Sequence, residues 1–188
     1  MTHSPIVIAV LGAECTGKTA LAQALAARIQ VQTRLRVAWV PELLREWCDE
    51  HGRTPRVDEQ AGIARAQQAR IAEAGKCCEV VVCDTTAVMT AVYSQLVFGD
   101  GSLHAYAVEQ QRGVDLSLLM ALDIPWVADG LQRDGPQVRE PVDQAIRGLL
   151  SDHLLPWSLV SGQGEARLDS AMQAIAPLLQ RAGSLQVR

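Results

Sequence analysis

Residues 12–19 read GAECTGKT, and this stretch decides the fold. It fits the pattern G-x-x-x-x-G-K-[ST], in which glycines curl the backbone so that successive N–H groups face a phosphate. The context is the one the mechanism requires. An apolar run, Ile6–Leu11, precedes the loop, and Leu21, Leu25 and Ile29 share one face of the helix-patterned segment that follows. The helix N-terminus adds its own preference for an anion. The candidate phosphate-binding set is Gly12, Ala13, Glu14, Cys15, Thr16, Gly17, Lys18, Thr19 and Ala20. Lys18 is placed to reach the outer phosphates, and the Thr19 hydroxyl to ligate Mg²⁺. One member is odd: Glu14 is an acid inside an anion-binding loop. In such a loop the backbone faces the anion and many side chains face away. Glu14 therefore has three readings: it points into an acceptor pocket, pairs with a nearby arginine, or stands solvated.

Outward from the loop, further apolar runs at 36–40, 80–83, 116–122 and 157–160 read as buried parallel strands. Helical patterns lie between them. Asp58 is a candidate cap for an Ala-rich helix ending before Gly75. Val142, Ile146, Leu149, Leu150 and Leu154 line another helix, with Pro141 near its first turn. Leu168, Met172, Ile175 and Leu179 line the last, which Pro177 is expected to kink or interrupt. Strand alternating with helix predicts an α/β fold, a parallel sheet covered on both faces. No repeat or interdomain linker breaks the chain, so residues 1–188 read as one domain.

The formal net charge of −4 argues against nucleic acid or an anionic membrane as the main partner. A cationic or neutral small molecule suits it better. No run approaches the ~18 consecutive apolar residues of a membrane span. Five cysteines, an odd number without a C-x-x-C pair, read as reduced thiols in the cytosol. The four histidines are dispersed, with no metal-ligand or triad spacing.

Other acids and arginines fall at strand ends, the ligand-bearing edge of such a sheet. VVVCDTT, residues 80–86, ends a strand with Asp84, which is placed to hold Mg²⁺ or a substrate hydroxyl, or to cap the next helix. WVPELLREW, residues 39–47, sets Glu42 just past a strand, with Arg45 three residues on. Glu42 is a candidate general base, or else a first-turn acid paired with Arg45. DIPWVADGLQRDGPQVRE, residues 123–140, carries Arg133 and Arg139 and reads as a lid around 124–139. Its arginines are candidates to neutralise transferring phosphate. Tyr93 and Trp126, with Trp47 and Tyr106, are candidate stacking platforms; core packing is the alternative for each. SGQGEAR, residues 161–167, follows the last strand, where Arg167 either stacks on a base or simply starts a helix.

Together these motifs resemble the ribosylnicotinamide kinase domain of NadR and its stand-alone AAA-type ATPase relatives. The resemblance rests on GAECTGKTALAQALA, VPELLREW, DEQAGIARAQ, VVVCDTTAVMTAVYSQLVFG and DIPWVADGLQRDGPQVRE, in family order over nearly all the chain. It implies a P-loop kinase-like fold with strand order 2-3-1-4-5, and transfer of the ATP γ-phosphate to the 5′-hydroxyl of nicotinamide riboside. On that view Lys18 and Thr19 hold phosphate and Mg²⁺, Asp84 holds Mg²⁺ or a sugar hydroxyl, Glu42 and Arg45 face the acceptor, and Arg133 and Arg139 belong to the lid. A cationic pyridinium would tolerate Glu14, Glu42 and Asp84. The chain departs from the pattern at Thr86, where an acid is expected two residues after Asp84. Only a few residues precede the first strand, so the adenylyltransferase activity that NadR also carries is not expected. The competing expectations are a kinase for another nucleoside or small metabolite, and a nucleotide-dependent regulator. The absence of an N-K-x-D tetrapeptide counts against a GTPase switch. Homo-oligomerisation is left open.

Overall fold

The computed structural model describes residues 4–127 and 135–186, with side chains through residue 182. Twelve elements position the site: β1 (Ile6–Leu11), α1 (Lys18–Gln32), β2 (Val37–Val40), α2 (Leu43–His51), α3 (Val57–Gly75), β3 (Val80–Asp84), α4 (Ala87–Phe98), α5 (His104–Gln111), β4 (Leu116–Met120), α6 (Arg139–Asp152), β5 (Trp157–Val160) and α7 (Glu165–Gln186). The five strands pair in parallel in the order β2-β3-β1-β4-β5, as the resemblance implied.

Strand periodicity divides the core in two. Val7, Ala9, Leu11, Val81 and Cys83 face one side, where residues of α3, α4, α5 and α6 cover them. Ile8, Val10, Val80, Val82, Leu118 and Met120 face the other, under α1 and α7. The apolar stripe of α1, Leu21, Leu25 and Ile29, is buried there. Among the described residues no helix is long and apolar enough to cross a membrane.

Several boundaries differ from expectation. β3 runs on to Asp84, and α6 ends at Asp152, leaving Leu154 exposed beyond it. β2 begins at Val37, because the carbonyl of Arg36 is already turned to the N–H groups of Glu79 and Val80. β4 ends at Met120 rather than at residue 122, because the chain then leaves the sheet and Asp123 is drawn to the turn after β5. Asp58 does not cap α3. Arg56 occupies the cap position, and the Glu59 carboxylate accepts its backbone N–H at 2.7 Å. α7 continues through Pro177. A proline inside a helix costs ~3 kcal/mol, and burial of Leu168, Ala171 and Ile175 against the sheet and α1 offsets it.

Candidate active site

The phosphate loop hangs between β1 and α1. Gly12 (φ 153°) and Gly17 (φ 78°) take backbone angles that L side chains rarely adopt, and Cys15 is also left-handed at φ 53°. A Cβ on Gly12 would lie 2.8 Å from Cβ of Met120, so only glycine lets the loop pass β4. Inside the loop the Thr16 hydroxyl donates to the Ala13 carbonyl at 2.8 Å, and the Lys18 ammonium to the same oxygen at 3.0 Å. The first turn of α1 carries no acid and no side-chain cap. Its leading N–H groups are therefore offered to an anion. Thr19 sits half-buried in that turn and Ala20 is exposed.

Register brings Asp84 to the loop, since it pairs with Val10 of β1. The side chain is 1% exposed, and neither carboxylate oxygen has a hydrogen-bond partner. Burial pushes its pKa up. The neighbouring Thr19 hydroxyl pulls it down, Glu42 raises it further, and Lys18 and Arg45 lower it. Thr19, Glu42, Lys18 and Arg45 therefore share the site with Asp84. Thr85 follows at φ 69°, a left-handed residue at the strand tip. Helix α4 is capped by Thr86, whose hydroxyl accepts the N–H of Val88 at 3.3 Å, so Asp84 is not the cap. The same hydroxyl donates to Gln111 at 2.7 Å, and Gln111 donates to Ser117 at 2.9 Å. Position 86 thus serves a buried polar chain.

Beside the loop opens a cavity of about 120 Å³, many times what one water needs. Glu14, Lys18, Glu42, Arg45 and Tyr93 line it. Glu14 is 3% exposed, so it is not solvated, and it is among the residues lining the cavity. Glu42 stands at the N-terminal cap position of α2, its Oε2 3.7 Å from Nε of Arg45. The remaining wall comes from Leu44, Cys48, Thr54, Pro55, Gln60, Met89, Val97 and Phe98. Sequence reasoning missed these. The signal available was the apolar end of α4, where Val97 and Phe98 stay exposed just before Gly99 stops the helix. Of the aromatic candidates only Tyr93 lines the cavity. Trp47 instead stacks on His51 at 3.9 Å and lies under Arg53. Tyr106 packs on the core.

Trp126 belongs to the segment leaving β4, outside the cavity lining. That segment touches the phosphate loop: the Cys15 thiol donates to the Val127 carbonyl at 3.0 Å. Arg139 opens α6 and is 8% exposed, with Nε and Nη2 lacking hydrogen-bond partners among the described residues. Arg133 and the middle of the expected lid, 128–134, lie outside the described residues. Arg167 is buried, and its guanidinium donates to Gly162, Thr16 and Asp123.

The donor set fits a hard divalent cation. Asp84 offers buried oxygens without partners, and Thr19 a hydroxyl beside them. No group of three or more His, Cys, Asp or Glu side chains forms a cage among the described residues.

Solved structures share this fold. The chain is similar to NadR protein in complex with NR (TM-score 0.74, 20% identity, 93% of this chain and 50% of that one). It is also similar to NadR protein in complex with NAD and AMP-PNP (TM-score 0.71, 20% identity, 93% and 49%). Thymidylate kinase from Ehrlichia chaffeensis aligns at TM-score 0.65 and 14% identity over 94% of this chain and 100% of that one. The chain thus spans about half the length of the NadR chains, and the likeness at these identities is one of fold, the P-loop kinase fold. No curated protein matches the chain. A family model described as AAA domain matches residues 7–167, and the chain belongs to that family.

Proposed function

We propose that the protein is an ATP-dependent small-molecule kinase that phosphorylates the 5′-hydroxyl of nicotinamide riboside to give the mononucleotide. One observation carries the reading: an acid of the phosphate loop itself, Glu14, is buried in the wall of the neighbouring pocket, with Glu42 beside it and Asp84 in electrostatic reach. The carboxylates of Glu14 and Glu42 offer partners to a cationic pyridinium on a wall that also carries Lys18 and Arg45. Tyr93, Leu44, Val97 and Phe98 offer apolar surface for a flat ring. The likeness to NadR protein in complex with NR supports the same choice.

Catalysis on this reading is positioning and charge neutralisation. The loop N–H groups and the start of α1 hold the phosphates of ATP, and Lys18 swings from the Ala13 carbonyl onto the outer ones. Glu42 takes the proton of the attacking hydroxyl while Arg45 orients its carboxylate. Thr19 and Asp84 would hold Mg²⁺, which would supply charge neutralisation to the phosphates of ATP. Arg133 and Arg139 serve the lid, around 124–139, of a single kinase-like domain spanning 1–188. We place the enzyme in the cytosol, where its five free thiols stay reduced. Thr86, standing where the resemblance leads to an acid, favours a second reading: a kinase for another nucleoside.

The test is product formation from ATP–Mg²⁺ and a panel of nucleosides, read by mass spectrometry with Lys18→Ala as the blank. Selective appearance of nicotinamide mononucleotide is expected. Glu14→Gln should raise KM for that acceptor on the order of tenfold and leave KM for ATP in place. Phosphorylation of a neutral nucleoside in preference would hand the site to the second reading. Turnover indifferent to every acceptor would remove the kinase reading altogether.

A further inference from the structure

Arg167 lies far along the chain from the phosphate loop, yet its guanidinium ties three loops together at the carboxyl edge of the sheet. It is 4% exposed and stands in the first turn of α7. Nε donates to the carbonyl of Gly162 at 2.6 Å, in the turn after β5. Nη2 donates to the carboxylate of Asp123, at the exit of β4. Nη1 donates to the carbonyl of Thr16, within the phosphate loop. Asp123 closes the knot by accepting the N–H of Gly162 at 2.7 Å. Burial alone would push the Asp123 carboxyl up, but the Gly162 N–H and the Arg167 charge outweigh it and hold the pKa below the usual range.

The Thr16 contact is the consequential one. No peptide of the described chain is cis. In a trans peptide the C=O and the following N–H point in opposite directions. With its carbonyl held by Arg167, the 16–17 peptide must aim the N–H of Gly17 the other way. The left-handed φ of 78° at Gly17 carries the chain from that peptide into α1. The segment after Asp123 lies against the same stretch. Cδ1 of Ile124 would sit 3.6 Å from a Cβ on Gly17, and the Val127 carbonyl takes the Cys15 thiol.

We infer that Arg167 is a positioning residue for the phosphate loop: through the Thr16 carbonyl it sets the direction of the Gly17 N–H and so the loop's grip on phosphate. This rests on the phosphate loop binding a nucleotide and not on the identity of the acceptor. A planar fork with donors along its edges can serve three acceptors at once. Lysine keeps the charge but has no such fork.

The experiment is calorimetric titration of the full chain and of Arg167→Lys with ATP–Mg²⁺ and, separately, with tripolyphosphate–Mg²⁺. Both affinities are expected to fall together, on the order of tenfold, as a charged hydrogen bond behind the loop is lost. A loss for ATP with tripolyphosphate unchanged would mean that Arg167 touches the base, and would overturn the inference. So would unchanged affinity for both in a folded variant, which is what a merely structural arginine predicts. If Arg167→Lys does not fold, Asp123→Asn keeps the shape of the knot and should show the same parallel loss, smaller in size; no parallel loss there overturns the inference too. In steady state, KM for ATP should rise while KM for the acceptor stays. Neither titration contains an acceptor, so an error about nicotinamide riboside leaves the result standing. A wild-type chain that binds neither ligand would remove the phosphate-loop reading and this inference with it.

Discussion

The phosphate loop and the tip of β3 lie side by side, Asp84 pairing with Val10 two residues before the loop begins, but their polar atoms live differently. Around the loop, Thr16, Lys18, Arg167 and Asp123 all have partners within the protein. At the strand tip Asp84 is as deeply buried as the core, and both its oxygens lack a hydrogen bond. Two residues on, Thr86 is again bonded, to Gln111. Polar groups that hold the backbone in shape are satisfied by the fold. Asp84 is among the groups left over, as is Arg139, and its oxygens are of the kind a divalent cation would satisfy.

The largest test of that contrast is catalytic. Lys18→Ala should cut phosphoryl transfer by on the order of 10³ with the fold retained, measured as turnover beside circular dichroism. Transfer that survives would detach the loop from the chemistry. Asp84→Asn should cost on the order of 10² in turnover and, in the ligand-free protein, raise Tm by a few degrees, because a buried carboxylate without partners opposes folding. A fall in Tm would mean that Asp84 holds the fold after all. The opposite sign is expected one layer away. Gln111→Leu strands the hydroxyls of Thr86 and Ser117, a loss of ~1–3 kcal/mol that calorimetry should read as a lower Tm.

The smallest effect belongs to the surface. Hydrogen bonds from Arg53 and from the Arg56 backbone hold the Glu59 carboxyl down to about 2. A lowered carboxyl pKa stabilises the folded state above the unfolded value, and that contribution is lost as pH falls toward about 2. Glu59→Gln should therefore lower Tm slightly at pH 7, and the difference should shrink as the pH is taken down through 4. A difference independent of pH would assign the effect to helix capping alone.

Legibility followed chain locality. β1 and β5 match their apolar runs end for end, because a buried parallel strand leaves an unbroken hydrophobic signal. The loop of residues 12–19 announced itself through glycine spacing, and Glu42 with Arg45 through their three-residue interval. The cap of α3 was misplaced by two residues, since Asp, Glu and Arg all crowd its start and only geometry says whose carboxylate meets which N–H. Pro177 does not interrupt α7, because propensity is local while the packing of α7 is not. The apolar cavity wall was hidden because Leu44, Met89 and Phe98 look like core residues wherever they stand.

By itself the sequence determined a P-loop α/β domain and the acids and arginines available to it, because hydrophobic period and glycine-loop chemistry are written in neighbours along the chain. Only the tertiary structure decided that Glu14 turns into the pocket, that Asp84 is buried without a partner, and that Arg167 reaches back across the sheet edge to Thr16. Those facts depend on β3 pairing with β1 and on α7 packing over α1. A residue's charge travels with its letter, but its desolvation and its partners come from chain segments far away in sequence.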